Sequence, residues 1–308
     1  MKKLLTVIKL NENVANFVKE QGYEVLTAKD LTAENAPEIE IIMSNGCGVV
    51  SKDLLDKLPN AKLIDNFGVG FDGVDVEECK KRDIALCTTP GVLTEDVADL
   101  ALALMLNVSR QVTLAHNFVT AGTWENGGKL GLATKVSGKK VGIVGLGRIG
   151  RAVAQRCAGF DMDIYFYDKF VQSDDKYTKV ESLVELAKEV NYLIICAAAT
   201  KENHNLINAE VLEALGSKGF LINVARGSLV DETALVEAIV NNKIKGAGLD
   251  VFAQEPHVPQ ALMGKDNVVV TAHIASATVE TRQLMANIVI DNMKAFLEGR
   301  DMPTRLKL

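Results

Sequence analysis

Short apolar runs alternate with polar, helix-compatible stretches along almost the whole chain, and this rhythm limits the fold more than any other feature. The early runs are LLTVI (4–8), EVLTA (24–28), EIEIIMS (38–44), KLIDNF (62–67) and IALCTT (84–89), spaced by segments such as ENVANFVKEQG and SKDLLDKLP. From residue 139 the pattern resumes with KKVGIVG, DIYFYD (163–168), YLIICAA (192–198), FLINVA (220–225), GAGLDVF (246–252) and NVVVTAH (267–273). Strands spaced by helices specify βαβ units and parallel sheets. Two such series imply two α/β domains, which suits 308 residues, a length too great for most single cores.

Between the two series lies EDVADLALALMLNVSR (95–110), apolar on nearly every face and so expected as a buried helix at the hinge. Residues 110–137, richer in Gly and polar residues and holding the only tryptophan, Trp124, break the strand rhythm. Two readings stand for them: an arm packing on another subunit, or a long loop folded back on its own domain. The tail from about 279 reads as one amphipathic helix.

Composition excludes some partners. A net charge of −6 and no Lys/Arg cluster give no basic surface for nucleic acid. Cys47, Cys79, Cys87, Cys157 and Cys196 are odd in number, scattered and without a C-x-x-C pair, as expected for reduced thiols in the cytoplasm rather than a disulfide framework or a metal site. The N-terminal MKKLLTVIKLNEN reads as a first strand, not a signal peptide, and no apolar run approaches the ~20 residues of a membrane span.

The stretch after KKVGIV carries G-x-G-x-x-G, residues Gly145, Leu146, Gly147, Arg148, Ile149 and Gly150. Alone this pattern is weak, but here it follows a strand and opens a helix, the context of a dinucleotide cradle. The first glycine permits the tight turn, the second lets the backbone approach a pyrophosphate, and the third lets helix and strand pack. The next strand ends at Asp168, 18 residues beyond Gly150, where an acid binds the ribose hydroxyls and repels a 2′-phosphate. That favours NAD over NADP, with the adjacent Lys169 pulling the other way.

In open parallel sheets ligands bind beyond the carboxyl ends of the strands. FLINVA runs into Arg226, GLDVF through Asp250 toward Glu255, and NVVVTA into His273. A carbonyl that accepts hydride needs a proton, which histidine can deliver near neutral pH. A carboxylate partner favours the protonated ring, and an arginine clamps a carboxylate bidentately. Together they point to a 2-oxo acid reduced to a 2-hydroxy acid. His116, His204 and His257 are expected to be satisfied structural groups.

With these residues in view, the chain resembles the D-isomer-specific 2-hydroxyacid dehydrogenases over essentially its whole length. The resemblance is carried by VGIVGLGRIG, NVARGSLVDETAL (223–235), GAGLDVFAQEPHVP (246–259), TAHIASATVETR (271–282), NFGVGFDGVD (66–75) and TPGVLTEDVADLALAL (89–104). Within that family it is most similar to the glyoxylate/hydroxypyruvate reductases, including their hydroxyphenylpyruvate-reducing branch. The resemblance implies a catalytic set of Arg226, Glu255 and His273, and backbone N–H groups of Val69 and Gly70 that hold the substrate carboxylate, with Asn45 near another substrate-lining position. It implies cofactor contacts at Thr94, Thr200, Ala225 and Asp250. It also implies two domains of Rossmann-like or flavodoxin-like fold, a substrate domain of 1–96 with 282–308 and a cofactor domain of 97–281. The resemblance further implies an active site in the interdomain cleft and a homodimer joined through the cofactor domain, which supports the arm reading of 110–137. Where the close hydroxyphenylpyruvate reductases carry a basic, NADP-favouring stretch, this chain has Tyr167-Asp168-Lys169. Beside this reading stand reduction of aromatic 2-oxo acids, phosphoglycerate oxidation, and a non-catalytic NAD-sensing binding protein.

Overall fold

A computed structural model describes residues 2–308. The chain divides into two compact units, one reaching to Leu93 and rejoined by Ala277–Leu308, the other spanning Thr94–Ser276.

In the first unit β1 (Lys2–Thr6), α1 (Glu12–Glu20), β2 (Tyr23–Thr27), β3 (Ile39–Asn45), α2 (Lys52–Asp56), β4 (Leu63–Phe67), α3 (Val76–Lys81) and β5 (Ala85–Cys87) follow one another. The strands form one parallel sheet in the order β2-β1-β3-β4-β5, a flavodoxin-like arrangement. Both sheet faces are buried: Leu5, Ile42, Ile64 and Leu86 pack on one side, Leu4, Ile41, Met43 and Leu63 on the other. This two-sided burial is why these strands read as unbroken apolar runs rather than alternating ones.

The second unit opens with α4 (Thr94–Arg110) and α5 (Val112–Thr120). It continues through β6 (Lys140–Val144), α6 (Arg148–Ala158), β7 (Asp163–Tyr167), β8 (Thr178–Lys179), α7 (Leu183–Glu189), β9 (Tyr192–Ile195), α8 (Ala209–Leu215), β10 (Phe220–Asn223), α9 (Glu232–Val240), β11 (Gly246–Leu249) and β12 (Val268–Val270). Its seven parallel strands stand in the order β12-β11-β10-β9-β6-β7-β8. From β6 the chain first builds toward β8 and then, with β9, on the other side, so the order reverses between β6 and β9. The last helix, α10 (Val279–Leu297), returns to the first unit and packs on β4 and α1.

The expected boundaries after residues 96 and 281 therefore move to 93 and 276. A helix packs as one body, so the unit begins where the helix does. All of α4 lies on α6 and the β10–β12 half of its sheet, and all of α10 on the other unit. Neither is helix α4 buried on every face: Glu95, Asp99 and Ala103, four residues apart, form an exposed stripe. The two acids on it hold Arg156 of α6 at 2.7 and 2.6 Å. The strand β12 is a partly exposed edge of only three residues, not the buried run ending at His273 that NVVVTAH suggests. The two-residue β8 was not foreseen at all. No single helix among the described residues is long and apolar enough to cross a membrane.

Candidate active site

The glycine turn sits at the C-terminal end of β6, beside the point where the strand order reverses, which is where doubly wound sheets open a crevice. Gly145 has a φ of +93°, and a Cβ there would stand 2.7 Å from the Ala197 backbone. At Gly150 a Cβ would stand 2.0 Å from the carbonyl oxygen of Gly145, so only hydrogen lets α6 seat on the turn. Gly147, the N-cap of α6, has nothing within 4 Å of its missing side chain. Open backbone at Gly147, with the first N–H groups of an eleven-residue helix behind it at Arg148 and Ile149, fits a pyrophosphate.

Asp168 follows β7 and turns back onto this loop. Its carboxylate accepts the N–H of Leu146 at 2.7 Å, of Phe170 at 2.7 Å and of Val171 at 2.9 Å. Burial works to raise its pKa, but the N–H groups of Val171, Phe170 and Leu146 outweigh it and hold the carboxyl below its ordinary value. Asp168 therefore shapes the glycine turn. The ammonium of Lys169 lies over the ring of Phe170, 5.9 Å from its centre. Thr200, past β9, caps a short 3-10 turn, its N–H bonded to Asn203 Oδ1 at 2.7 Å.

Three neighbouring strands, β10, β11 and β12, end in the three charged groups singled out from the sequence. Beyond β10, the buried Asn223 braces the loop: its amide accepts from the Ala225 N–H at 3.0 Å and donates to the Arg226 carbonyl at 2.9 Å. Arg226 Nη1 donates to the Ala225 carbonyl at 2.8 Å. A Cβ on Gly227 would stand 1.9 Å from the carbonyl carbon of Phe252, so glycine lets the Arg226 turn lie directly on the loop that carries Glu255. Glu255 Oε1 accepts the Phe252 N–H at 3.1 Å, and Oε2 lies 2.7 Å from His273 Nδ1. Both side chains are part-buried, 23% and 31% exposed, so the pair is shielded yet reachable.

His273 has a φ of +52°, the left-handed region that non-glycine residues seldom occupy. The surrounding structure holds it there. Its N–H donates to the Asp250 carbonyl at 2.8 Å. The Asp250 carboxylate, fully buried, accepts from the Thr271 hydroxyl at 2.6 Å and from the N–H groups of Ile274 and Ala275 at 2.9 Å each. Strained backbone so over-determined marks functional sites. In this structure the side chain of Asp250 is committed to the loop that presents His273, a role the sequence reading did not assign.

In the first unit, β3 ends at Asn45, whose side chain accepts from Cys47 N–H at 3.0 Å and Gly48 N–H at 2.8 Å and so folds its own turn. Val69 and Gly70 follow β4. The buried Asn66 donates to the carbonyls of Gly68 at 3.1 Å and Gly70 at 3.0 Å, pinning this loop. The N–H groups of Val69 and Gly70 meet no acceptor among the described residues. Thr94 opens α4 of the second unit, and Ala225 lies in the loop just past β10. His116, His204 and His257 are all exposed, so they are solvated surface groups rather than satisfied internal ones.

Asn66 and Asn223 were missed as site residues, and Asp250 was named as a cofactor contact but not as the brace of the His273 loop. Each is a small polar residue that closes an apolar run, in LIDNF, FLIN and GLD. A buried polar side chain at a strand's carboxyl end must find partners, and loop backbone is what lies there.

A family model described as "D-isomer specific 2-hydroxyacid dehydrogenase, NAD binding domain" matches residues 102–275. A hydroxyphenylpyruvate reductase of Plectranthus scutellarioides is 43% identical over 276 residues, 90% of this chain and 88% of that protein. A glyoxylate/hydroxypyruvate reductase A of Arabidopsis thaliana is 41% identical over 266 residues, 86% and 85% of the two chains. Among solved structures, the NADPH-dependent glyoxylate/hydroxypyruvate reductase of Sinorhizobium meliloti, in complex with NADP and malonate, superposes with a TM-score of 0.92 at 38% identity, covering 99% of this chain and 96% of that one.

Proposed function

The chain belongs to the D-isomer specific 2-hydroxyacid dehydrogenase family, and on that premise we propose that it reduces a small 2-oxo acid, of the glyoxylate or hydroxypyruvate kind, to the D-2-hydroxy acid with NADH. The observation that carries this is the 2.7 Å contact between His273 Nδ1 and Glu255 Oε2, on the strand ends next to Arg226. When bound, the reduced nicotinamide supplies the hydride.

The rest is the work of side chains. His273 donates a proton from Nε2 to the substrate oxygen as that oxygen gains charge. Glu255, held by the Phe252 N–H, fixes the ring by its other nitrogen and favours its charged form. Arg226 clamps the substrate and polarises its carbonyl. The N–H groups of Val69 and Gly70 take the carboxylate, with Asn45 lining the same loops. Thr94, Thr200 and Ala225 contact the cofactor, whose pyrophosphate lies on residues 145–150. Asp168 favours NAD by repelling a 2′-phosphate. Asp250 acts by positioning His273.

A second copy of the chain completes the assembly in this reading. The helix α5 has no buried residue, Trp124 is 68% exposed and Leu132 fully so, apolar side chains that a second copy would cover. A homodimer that covers 110–137 explains it, and light scattering of the wild type against Trp124→Ala with Leu132→Ser tests it. A reducing compartment such as the cytoplasm fits five cysteines of which none is in a disulfide.

The deciding assay follows loss of reduced-nicotinamide absorbance with glyoxylate, hydroxypyruvate, pyruvate, phenylpyruvate and hydroxyphenylpyruvate, each with NADH and NADPH. Turnover of the small acids with NADH is expected. Preference for the aromatic acids would move the protein to the activity named for the Plectranthus relative. Cofactor binding without turnover of any acid would leave a nucleotide-binding protein instead.

A further inference from the structure

Arg282 lies in the first turn of α10, half-buried, with its guanidinium 5.7 Å from the centre of the Phe67 ring. Three features oppose a cation in that place. Burial alone lowers its pKa, with no negative charge acting against that effect. No carboxylate among the described residues forms an ion pair with it. The amino end of a nineteen-residue helix is its positive end, where cations are disfavoured. The contact with the ring offsets part of this. A half-buried arginine without a counter-ion is uncommon, because burial of charge is tolerated mainly where it is paired.

What stands beside it is a set of donors in the same condition. Phe67 ends β4 and leads straight into Gly68, Val69 and Gly70. It is in register with Asn45 of β3, so both loops rise from the strand ends that Arg282 overlies. Asn66 turns the carbonyls of Gly68 and Gly70 toward itself, and the N–H groups of Val69 and Gly70 have no acceptor among the described residues. Val69 and Gly70 lie at the surface. A guanidinium without an anion and two N–H groups without an acceptor share one sheet edge.

We propose that Arg282 is a second charged anchor for the substrate carboxylate, in addition to Arg226, binding it together with the N–H groups of Val69 and Gly70. The proposal rests on the reductase reading for the identity of the anion and adds a residue to it. The two N–H groups orient the carboxylate, and the guanidinium supplies the full charge that draws it from water. A carboxylate suits the site because its two oxygens match both the planar fork and the paired N–H groups. The proposal gives Arg282 no part in the proton transfer assigned to His273, so it binds ground state and transition state alike and acts on KM rather than kcat.

The test compares wild type, Arg282→Gln and Arg282→Lys in the presence of NAD. Isothermal titration with oxalate reads the anion site without turnover, and steady-state kinetics with glyoxylate and its neutral counterpart glyoxylamide reads the role of charge. Arg282→Gln is expected to weaken oxalate and raise the KM for glyoxylate, both by about 10- to 100-fold, with kcat nearly unchanged. It leaves the KM for glyoxylamide within about threefold of wild type, and Arg282→Lys recovers part of the loss. Equal oxalate affinity in all three proteins overturns the assignment, as does an equal penalty on glyoxylate and glyoxylamide, which would mark a structural role. If Arg282→Gln does not fold, the Arg282→Lys comparison decides by the same criteria. Absence of turnover in wild type, with oxalate binding still dependent on Arg282, would sink the reductase reading and leave the anchor standing.

Discussion

Asp250 holds His273 twice over: its carbonyl takes the His273 N–H at 2.8 Å, and its buried carboxylate takes the N–H groups of the next two residues. The left-handed backbone of His273 exists because this one aspartate satisfies the loop on both sides of the ring. Asp250→Ala removes the acceptor of three hydrogen bonds, each to a charged group and worth about 1.5–3 kcal/mol. Loss of stability and a fall in kcat of at least about tenfold are expected, since misplacement of a catalytic group by 1 Å has that scale of effect. Thermal unfolding and steady-state kinetics check this, and a variant that keeps wild-type kcat would separate Asp250 from the site.

Replacing His273 with Gln keeps a hydrogen-bonding side chain but no transferable proton. Turnover is expected to fall about 10²–10⁴-fold, the usual contribution of a general acid. Cofactor affinity, read by quenching or calorimetry, should not move, because the glycine cradle lies on β6. Full turnover in this variant would end the assignment of His273 as proton donor.

Asp168→Ala has two consequences that can be separated. Losing the acceptor for the Leu146 N–H loosens the glycine turn, so the KM for NADH rises with every 2-oxo acid alike. Losing the carboxylate also removes the repulsion of a 2′-phosphate, and Lys169 remains. The ratio of kcat/KM for NADPH to that for NADH should rise by at least about tenfold, one or more 1.4 kcal/mol steps. An unchanged ratio would mean that discrimination lies elsewhere.

Asp65, in the middle of β4, is fully buried, and burial pushes its carboxyl up to about 8 against the pull of the Asn292 amide at 3.2 Å. The folded state therefore keeps a proton that the unfolded chain releases near its ordinary carboxylate value. With more protons bound in the native state, stability falls as pH rises between those two values, by up to about 1.4 kcal/mol per pH unit, and levels off above the upper one. Asp65→Asn should abolish that slope and be the more stable protein at pH 8. Denaturant unfolding of both proteins from pH 5 to 9 measures it, and parallel curves would show that Asp65 is ionised in the fold.

Much of this was legible in the one-dimensional pattern because it depends on local chemistry. The two series of apolar runs specify two parallel sheets, since strands covered on both faces cannot alternate. The glycine spacing at 145–150 specifies a turn that tolerates a ligand, a demand made by backbone sterics within six residues. Arg226, Glu255 and His273 were found because a charge that ends an apolar run stands where such sheets expose their strand ends. Helix ends were legible to within a few residues, which is why the unit boundaries shifted when α4 and α10 each packed as a whole.

Tertiary structure alone decided what depends on residues far apart in the chain. That Asp250 reaches the loop of 271–275 and that Gly227 lets one loop lie on another are consequences of β10, β11 and β12 being neighbours. So too is the half-buried Arg282 above Phe67, separated from it by more than two hundred residues of sequence. The sequence determined which residues bear charge and where strands stop. Packing determined which of those charges lost water and which found a partner, because desolvation is set by what surrounds a group in space and not by what precedes it in the chain.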